Sequence, residues 1–112
     1  MAPINTCTTL LVAKKTTVET IVGPNPVPSG GRVRVLRFGA SAIGKGGQKA
    51  ASIQLWWGAS LLREFGLNES AFESEVDRIV ASTGIEKLRI VMNNDDSTDS
   101  KQIIAWLDGY VL

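Results

Sequence analysis

The sequence predicts an all-β protein, an antiparallel sandwich or barrel of about seven or eight strands. Three observations support this fold class. Short runs of β-branched and apolar residues recur along the 112 residues. Glycine, proline, asparagine and aspartate mark turns between these runs at intervals of about 8–12 residues. Several runs alternate apolar and polar side chains with the two-residue period of a strand.

The N-terminal third of the chain contains two candidate strands and a long loop. Residues 1–9 are expected to form a loose N-terminal arm, so that a single β-sandwich domain spans residues 10–112. Residues 8–13 are predicted to form a short edge strand, and residues 16–22 are rich in the β-branched side chains that suit a pleated surface. Three prolines and three glycines predict a loop over residues 23–31.

The middle of the chain supplies three more strands. Residues 32–38 form a strand whose apolar phase slips from Val33 and Val35 to Leu36 and Phe38, which indicates a bulge or burial on both faces. A connection of small residues, 39–50, is followed by an alternating strand over residues 51–57 and a brief strand over residues 61–65.

The last third contains the one ambiguous segment. Residues 69–82 carry apolar side chains at helical spacing behind a Ser-x-x-Glu capping box that starts at Ser70. We favour a strand there because all flanking segments are predicted to be β. Residues 87–92 alternate again, residues 93–100 have the short polar side chains of a turn, and residues 102–112 form the final strand.

Composition narrows the function classes. The content of 44% apolar and 21% charged residues is ordinary for a globular protein, and no apolar run reaches the roughly 18–20 residues of a membrane span. Histidine is absent and Cys7 is the single cysteine, so an imidazole base, a thiolate–imidazole zinc site and an intramolecular disulfide are excluded. We therefore expect a protein that is not an enzyme and has no cofactor or metal site. The start of the chain lacks the pattern of a secretory signal.

Charge is unevenly distributed along the chain. The net charge of +1 gives no global basic field for nucleic acid. Residues 1–63 nevertheless hold eight Lys and Arg with one acid, whereas residues 64–112 hold four Lys and Arg with ten acids. Either strands of the two halves interleave and the charges mix, or the surface is dipolar and suited to a copy of itself or a large partner.

Two polar loops resemble ligand sites. Residues 39–46 have the glycine and lysine spacing of a phosphate-binding P-loop, but Gly46 stands where a hydroxyl must hold magnesium, and a strand follows in place of a helix. We interpret this stretch as a flexible loop.

Residues 93–100 offer Asp95, Asp96 and Asp99 to Ca²⁺, yet they lack the glycine and the distal glutamate of an EF-hand loop. A solvated turn is the favoured interpretation.

Tryptophan and arginine supply the candidate interaction residues. Neighbours on a strand face opposite ways, so one of Trp56 and Trp57 is expected to point inward and the other outward, toward a sugar ring, a protein partner or a covering loop. Arg32 and Arg34 share one face of their strand, and Arg37 joins them only if the suspected bulge is present. A solvated face is the default interpretation of these arginines.

The chain also resembles the small jelly-roll-type virion proteins of tailed bacteriophages. The resemblance lies in residues 84–96 and 104–111, with further likeness in the strands over residues 31–39 and 53–58. It covers about two-thirds of the chain as a pattern and transfers no catalytic motif.

The resemblance implies a jelly-roll-like sandwich that decorates or cements a capsid, or forms part of a head fibre or tail. Such a protein would be made in the bacterial cytoplasm and reside in the virion. Its expected partners are copies of itself, as a homotrimer, and a major capsid or tail protein, against which the N-terminal arm would order. No nucleic acid or membrane partner is expected. The alternative is a carbohydrate-binding module that uses Trp56 or Trp57 as a stacking platform.

Overall fold

The computed structural model describes residues 2–22, 27–43, 50–67 and 72–112. These residues form eight β-strands and contain no helix. The strands are β1 (Ala2–Val12), β2 (Thr16–Val22), β3 (Arg32–Ile43), β4 (Ala51–Trp57), β5 (Ser60–Gly66), β6 (Phe72–Ala81), β7 (Leu88–Asn94) and β8 (Lys101–Val111).

The strands form two four-stranded antiparallel sheets. The front sheet has the order β1-β8-β3-β6, and the back sheet has the order β2-β7-β4-β5. Successive strands cross from one sheet to the other except at the β4–β5 hairpin, where Gly58 has a φ of 56°. This connectivity is the double Greek key of an eight-stranded jelly roll. The predicted all-β sandwich is confirmed.

The N-terminal segment differs from the expectation. Residues 1–9 were predicted to be a loose arm, but residues 2–12 form β1, which pairs with β8 along its whole length from Ala2 opposite Val111 to Val12 opposite Lys101. Pro3 and Asn5, residue types that are depleted in strands, weaken the local strand signal at the start of this segment. The segment is ordered because β8, at the other end of the chain, supplies a complete hydrogen-bonding partner.

Two other predictions are settled within the described residues. Residues 72–81 of the ambiguous segment form strand β6, as we favoured, and residues 69–71 lie outside the described part. The predicted connection over residues 39–50 begins later than expected, because β3 continues through Ile43 in register with β8. Of the predicted loop over residues 23–31, residues 23–26 lie outside the described part, and Gly30 has the positive φ of 85° that a glycine permits.

Apolar side chains from both sheets form one core between them. Inward positions alternate with outward ones, as in β4 and β7, where every second residue is buried. Phe38 of β3 is fully buried, and its ring lies 5.6 Å from that of Phe65 on β5, so this pair joins the sheets. The register shift between Val35 and Arg37 confirms the predicted bulge and explains how Val35 and Phe38 both face inward.

Strands from the two halves of the chain alternate in the front sheet. First-half strands β1 and β3 lie beside second-half strands β8 and β6, and in the back sheet β7 lies between β2 and β4. Ion pairs accordingly join the halves: Arg34 to Asp77, Lys15 to Asp95, and Arg89 to Glu19. The interpretation that the charges mix is the one that the fold favours.

Candidate functional site

The outer surfaces of the two sheets are the places where side chains meet solvent. We call the outer surface of the front sheet the front face and that of the back sheet the back face. The sequence placed candidate residues on β3 and β4, and these strands belong to different sheets. The candidates are therefore separated onto opposite sides of the sandwich.

Trp56 and Trp57 point in opposite directions, as the strand period predicted. Trp57 is buried between the sheets, and its Nε1–H donates to the carbonyl oxygen of Ala81 at 3.0 Å. This bond gives the buried indole N–H an acceptor and connects β4 to the last residue of β6. Trp57 is therefore a core residue. Trp56 is half-buried and lies on the back face.

Trp56 belongs to a row of side chains that crosses the whole back face. Strand register places Ile21 of β2 opposite Arg89 of β7, Arg89 opposite Trp56 of β4, and Trp56 opposite Leu61 of β5. The two outer members are solvent-exposed, Ile21 by 48% and Leu61 by 41%. We call these four residues the Trp56 row.

Arg89 holds the indole of Trp56 in place. Its guanidinium carbon lies 5.4 Å from the centre of the Trp56 ring, within the range of a cation–π contact. The same guanidinium donates to Glu19 Oε2 at 2.9 Å and to the carbonyl oxygen of Gly58 at 2.8 Å. Because Arg89 is bonded on both sides, one face of the Trp56 ring is covered by a cation that is itself anchored.

The indole N–H is also fixed. Trp56 Nε1–H donates to Gln54 Oε1 at 3.0 Å, and the amide nitrogen of Gln54 donates to Glu64 Oε2 on β5. The contacts form one chain from Glu19 to Glu64 across the four strands of the back sheet. An aromatic side chain whose conformation is already restrained loses little entropy when a partner covers it.

The back face is therefore equipped for docking. It presents a restrained tryptophan and an arginine, the residue types most enriched among the energetically dominant contacts of protein interfaces. Exposed apolar side chains flank them in the same row. In the next row, three of the four side chains are polar; register builds this row from Glu19, Val91, Gln54 and Glu64. An apolar centre with a polar rim is the anatomy of an interface.

The arginines of β3 lie on the front face. Arg32 and Arg34 share this face, as the sequence predicted, and the bulge brings Arg37 onto it, opposite Asp108 of β8. Arg34 donates from Nε and Nη2 to Asp77 Oδ1 at 2.9 and 2.7 Å. Arg37 lies between Asp108 and Glu75 in register. With acids on both neighbouring strands, this row is a mixed surface, consistent with the solvated-face interpretation.

A shallow groove on the front face was not found from the sequence. It has a volume of about 260 Å³ and is lined by residues of three strands, among them Asn5, Arg37, Asp108 and Tyr110. The bulge at Leu36 opens it, and Gly109 lets the strands approach, since a Cβ there would overlap the carbonyl oxygen of Arg34. The phase slip in β3 indicated the bulge that opens the groove. The residues of β1 and β8 that complete the groove are remote from β3 in the sequence, so the groove itself could not be predicted.

The Asn/Asp turn is held together by its own groups. Asp96 Oδ1 accepts the backbone N–H of Thr98 at 2.8 Å and that of Asp99 at 3.2 Å, while Oδ2 lies 3.3 Å from Nζ of the fully buried Lys101. Buried Asn94 donates to the carbonyl oxygens of Val12 and Asp99. Asp95 pairs with Lys15. The Asp96 carboxylate is therefore part of the structure of the turn itself.

The Asp96 carboxylate has a strongly lowered pKa. Backbone and side-chain hydrogen bonds from Thr98 are the main cause, and Lys101 adds to it. A lowered folded-state pKa stabilises the fold above the ordinary value of 3.8, and this stabilisation is lost as the pH falls below it. We expect the unfolding midpoint in urea to fall between pH 4 and pH 2, and to fall less for Asp96→Asn. An equal fall for both proteins would contradict this role.

The structure also bears on the P-loop-like stretch, on possible metal-binding groups and on possible membrane spans. Lys45 and Gly46 of the P-loop-like stretch lie outside the described residues, whereas Gly39 is part of β3. Within the described ranges, no group of three or more His, Cys, Asp or Glu side chains is placed to hold a metal ion. The same part of the chain contains no helix that is long and apolar enough to cross a membrane.

Comparison with solved structures gives distant likenesses, among them FlhE and PorU. No family model and no curated protein matches the chain. The crystal structure of FlhE aligns over 96% of this chain and 97% of its own length, with 8% identity and a TM-score of 0.48. Dimeric latent PorU from Porphyromonas gingivalis aligns over the whole chain but only 13% of its own length, with 13% identity and a TM-score of 0.34. Because both TM-scores lie below 0.5, neither protein informs the function of this chain.

Proposed function

We propose that this chain is a non-enzymatic assembly module that docks on a larger protein through its back face. The Trp56 row carries the proposal, because it combines a restrained tryptophan, an anchored arginine and two exposed apolar side chains in one line across the sheet. Interfaces of this kind draw most of their binding free energy from a few such residues.

A bacteriophage virion is the proposed assembly, with a major capsid or tail protein as the surface that is bound. This part of the proposal depends on the resemblance of the sequence to small virion proteins. The eight-stranded jelly roll is compatible with it, since viral capsid domains use this architecture, but so do lectin domains, and a fold alone does not assign a function.

Binding to particles tests the proposal. The chain should be present in gradient-purified virions of the phage that encodes it, and the purified chain should rebind to particles made without it. We expect Trp56→Ala to weaken rebinding by about 30-fold, which corresponds to the roughly 2 kcal/mol of a dominant interface residue. Sedimentation of particles with bound chain measures this.

Two isoleucines provide a matched control. Ile21 lies on an edge strand of the back sheet and Ile79 on an edge strand of the front sheet, with similar exposures of 48% and 54%. Ile21→Asp should weaken rebinding strongly, because it replaces an exposed apolar contact by a carboxylate that must lose its water when the interface forms. Ile79→Asp should leave it unchanged. Absence of the chain from purified virions, or equal effects of the two substitutions, would contradict the proposal.

Glycan binding is the second candidate function. The observation that favours it is the position of Trp56 on a flat sheet face beside the polar side chains of Gln54 and Glu64. Against it, the indole N–H is engaged by Gln54 and one ring face lies under Arg89, so a sugar has only the opposite ring face for stacking.

A glycan array separates the two candidates. If the back face binds sugar, the parent chain binds a defined set of glycans, Trp56→Ala abolishes that binding, and the inward-facing Trp57 has no direct part in it. Binding that survives Trp56→Ala, or no binding by the parent, would exclude this candidate.

A further inference from the structure

Among the residues that the structure describes, no strand pairs with the outer edge of β1, so this edge of the front sheet is open. Strand β1 pairs with β8 on one side only, and this pairing runs without a register shift from Ala2 to Val12. None of its eleven residues is charged. A long, regular and neutral edge strand presents unpaired backbone groups that readily accept a further strand.

The other three edges are protected in ways that β1 is not. Strand β6 carries several charged side chains, and its geometry is irregular at Asp77, which has a φ of 43° beside the register shift with β3. Strand β5 carries Arg63 and Glu64, and its register with β4 shifts. Strand β2 has seven residues and carries Glu19. Charges, bulges and short length are the usual devices against unwanted strand pairing.

The backbone groups that β1 offers can be identified. The N–H of Leu112, which follows β8, donates to the carbonyl oxygen of Arg32 on β3. Successive residues of a strand direct their backbone N–H and C=O groups to opposite sides. Even-numbered residues of β8 therefore bond to β3, and odd-numbered residues bond to β1. Because Ala2 lies opposite Val111, even-numbered residues of β1 bond to β8 and odd-numbered residues face the open edge. Pro3, which has no N–H to donate, is one of these edge-facing residues, so a strand added there lacks one hydrogen bond at this position.

We propose that the open edge of β1 binds β1 of a second copy of this chain, antiparallel, about a twofold axis at Cys7. This is the register that pairs all eleven residues, because Cys7 is the middle residue of the strand. This register also lets the backbones bond, because each odd-numbered residue, whose N–H and C=O groups face the open edge, lies opposite an odd-numbered residue of the second copy. The two front sheets become one continuous eight-stranded sheet, and the contact is isologous.

The side chains match in this register. On the front face, Pro3 lies opposite Leu11 of the second copy, and Asn5 lies opposite Thr9. On the inner face, Ile4 lies opposite Leu10 and Thr6 opposite Thr8. Apolar residues thus meet apolar ones and polar residues meet polar ones. Leu11, which is 71% exposed in the single chain, gains an apolar neighbour on each copy, and no like charges are brought together.

This dimer does not depend on the docking function of the back face, because β1 lies in the front sheet and the Trp56 row lies on the opposite side of the sandwich. Ile21→Asp should remain dimeric. A monomeric chain would therefore contradict the dimer but not the docking function, and a failure to bind particles would contradict the docking function but not the dimer.

Light scattering tests the assembly first. At micromolar concentration the full chain should have about twice its mass of 12.0 kDa, and not the threefold mass of the homotrimer that the resemblance implied. Cys7→Lys, which places two ammonium groups opposite each other, should raise the dimer dissociation constant at least about tenfold. Cys7→Ser, at the same site, should leave it unchanged. A monomeric parent chain, or a Cys7→Lys protein that dimerises as tightly as the parent, would overturn the proposal.

Disulfide trapping tests the register without relying on a destabilised variant. Diamide accepts one hydrogen from each of two thiols, and an S–S bond forms only where the two Cα atoms lie within about 7 Å. The parent chain should become a covalent dimer through Cys7. Asn5→Cys in a Cys7→Ser background should not, since its two thiols would lie four residues apart along the strand, about 13 Å. Trapping of both proteins to the same extent, or of neither, would overturn the proposed register.

Discussion

Phe38→Ala is expected to lower the free energy of unfolding by about 4 kcal/mol, the largest effect of any substitution considered for this chain. Phe38 is fully buried, lies in the central part of the front sheet, and contacts the ring of Phe65 across the core. Truncation leaves a cavity that the rigid strands on both sides cannot close. Urea denaturation followed by tryptophan fluorescence measures the loss.

Ile43→Ala is the control for this prediction. Ile43 lies on the same strand but points to solvent, with 53% exposure, so its truncation should change stability by less than about 0.5 kcal/mol. A loss below about 1 kcal/mol for Phe38→Ala would mean that the bulge does not return this side chain to the core.

Asp96→Ala should be the most damaging substitution outside the apolar core. The carboxylate organises the turn before β8 by accepting the N–H groups of Thr98 and Asp99, and it is the charge partner of Lys101. Lys101 is fully buried, and a buried ammonium that loses its counter-charge is costly. We expect a clear fall in the thermal unfolding midpoint.

The neighbouring aspartate provides the matched comparison. Asp95 pairs with Lys15 in an exposed ion pair, and such pairs contribute little to stability. Asp95→Ala should therefore leave the unfolding midpoint almost unchanged under the same conditions. Similar midpoints for the two variants would show that Lys101 does not depend on Asp96.

Much of the fold could be predicted because the relevant signals are local. Alternation along β4 and β7 is visible in the sequence, and it predicts that Trp56 and Trp57 point in opposite directions; the structure shows that Trp57 is the buried one. The phase slip in β3 identifies the bulge that the register shift confirms. These signals depend only on a strand and its period of two.

The remainder depends on which strands become neighbours. The first part of β1, which contains Pro3 and Asn5, has a weak local strand signal and is ordered by β8 from the opposite end of the chain. Arg89 is unremarkable in the sequence until β7 is placed beside β4, where its guanidinium covers Trp56. The front-face groove likewise needs β1, β3 and β8 side by side. Long-range pairings of this kind are set by topology, which a residue pattern does not specify.

Oxidative footprinting of the tryptophans tests the back-face docking surface most directly. Hydroxyl radicals modify exposed side chains, and this chain carries a half-buried tryptophan on each face, Trp56 on the back and Trp106 on the front, as well as the buried Trp57. When the chain is bound to particles, modification of Trp56 should fall several-fold relative to the free chain, while Trp106 and Trp57 keep their free-chain values. Equal modification of Trp56 in the free and bound chain would contradict docking through the back face.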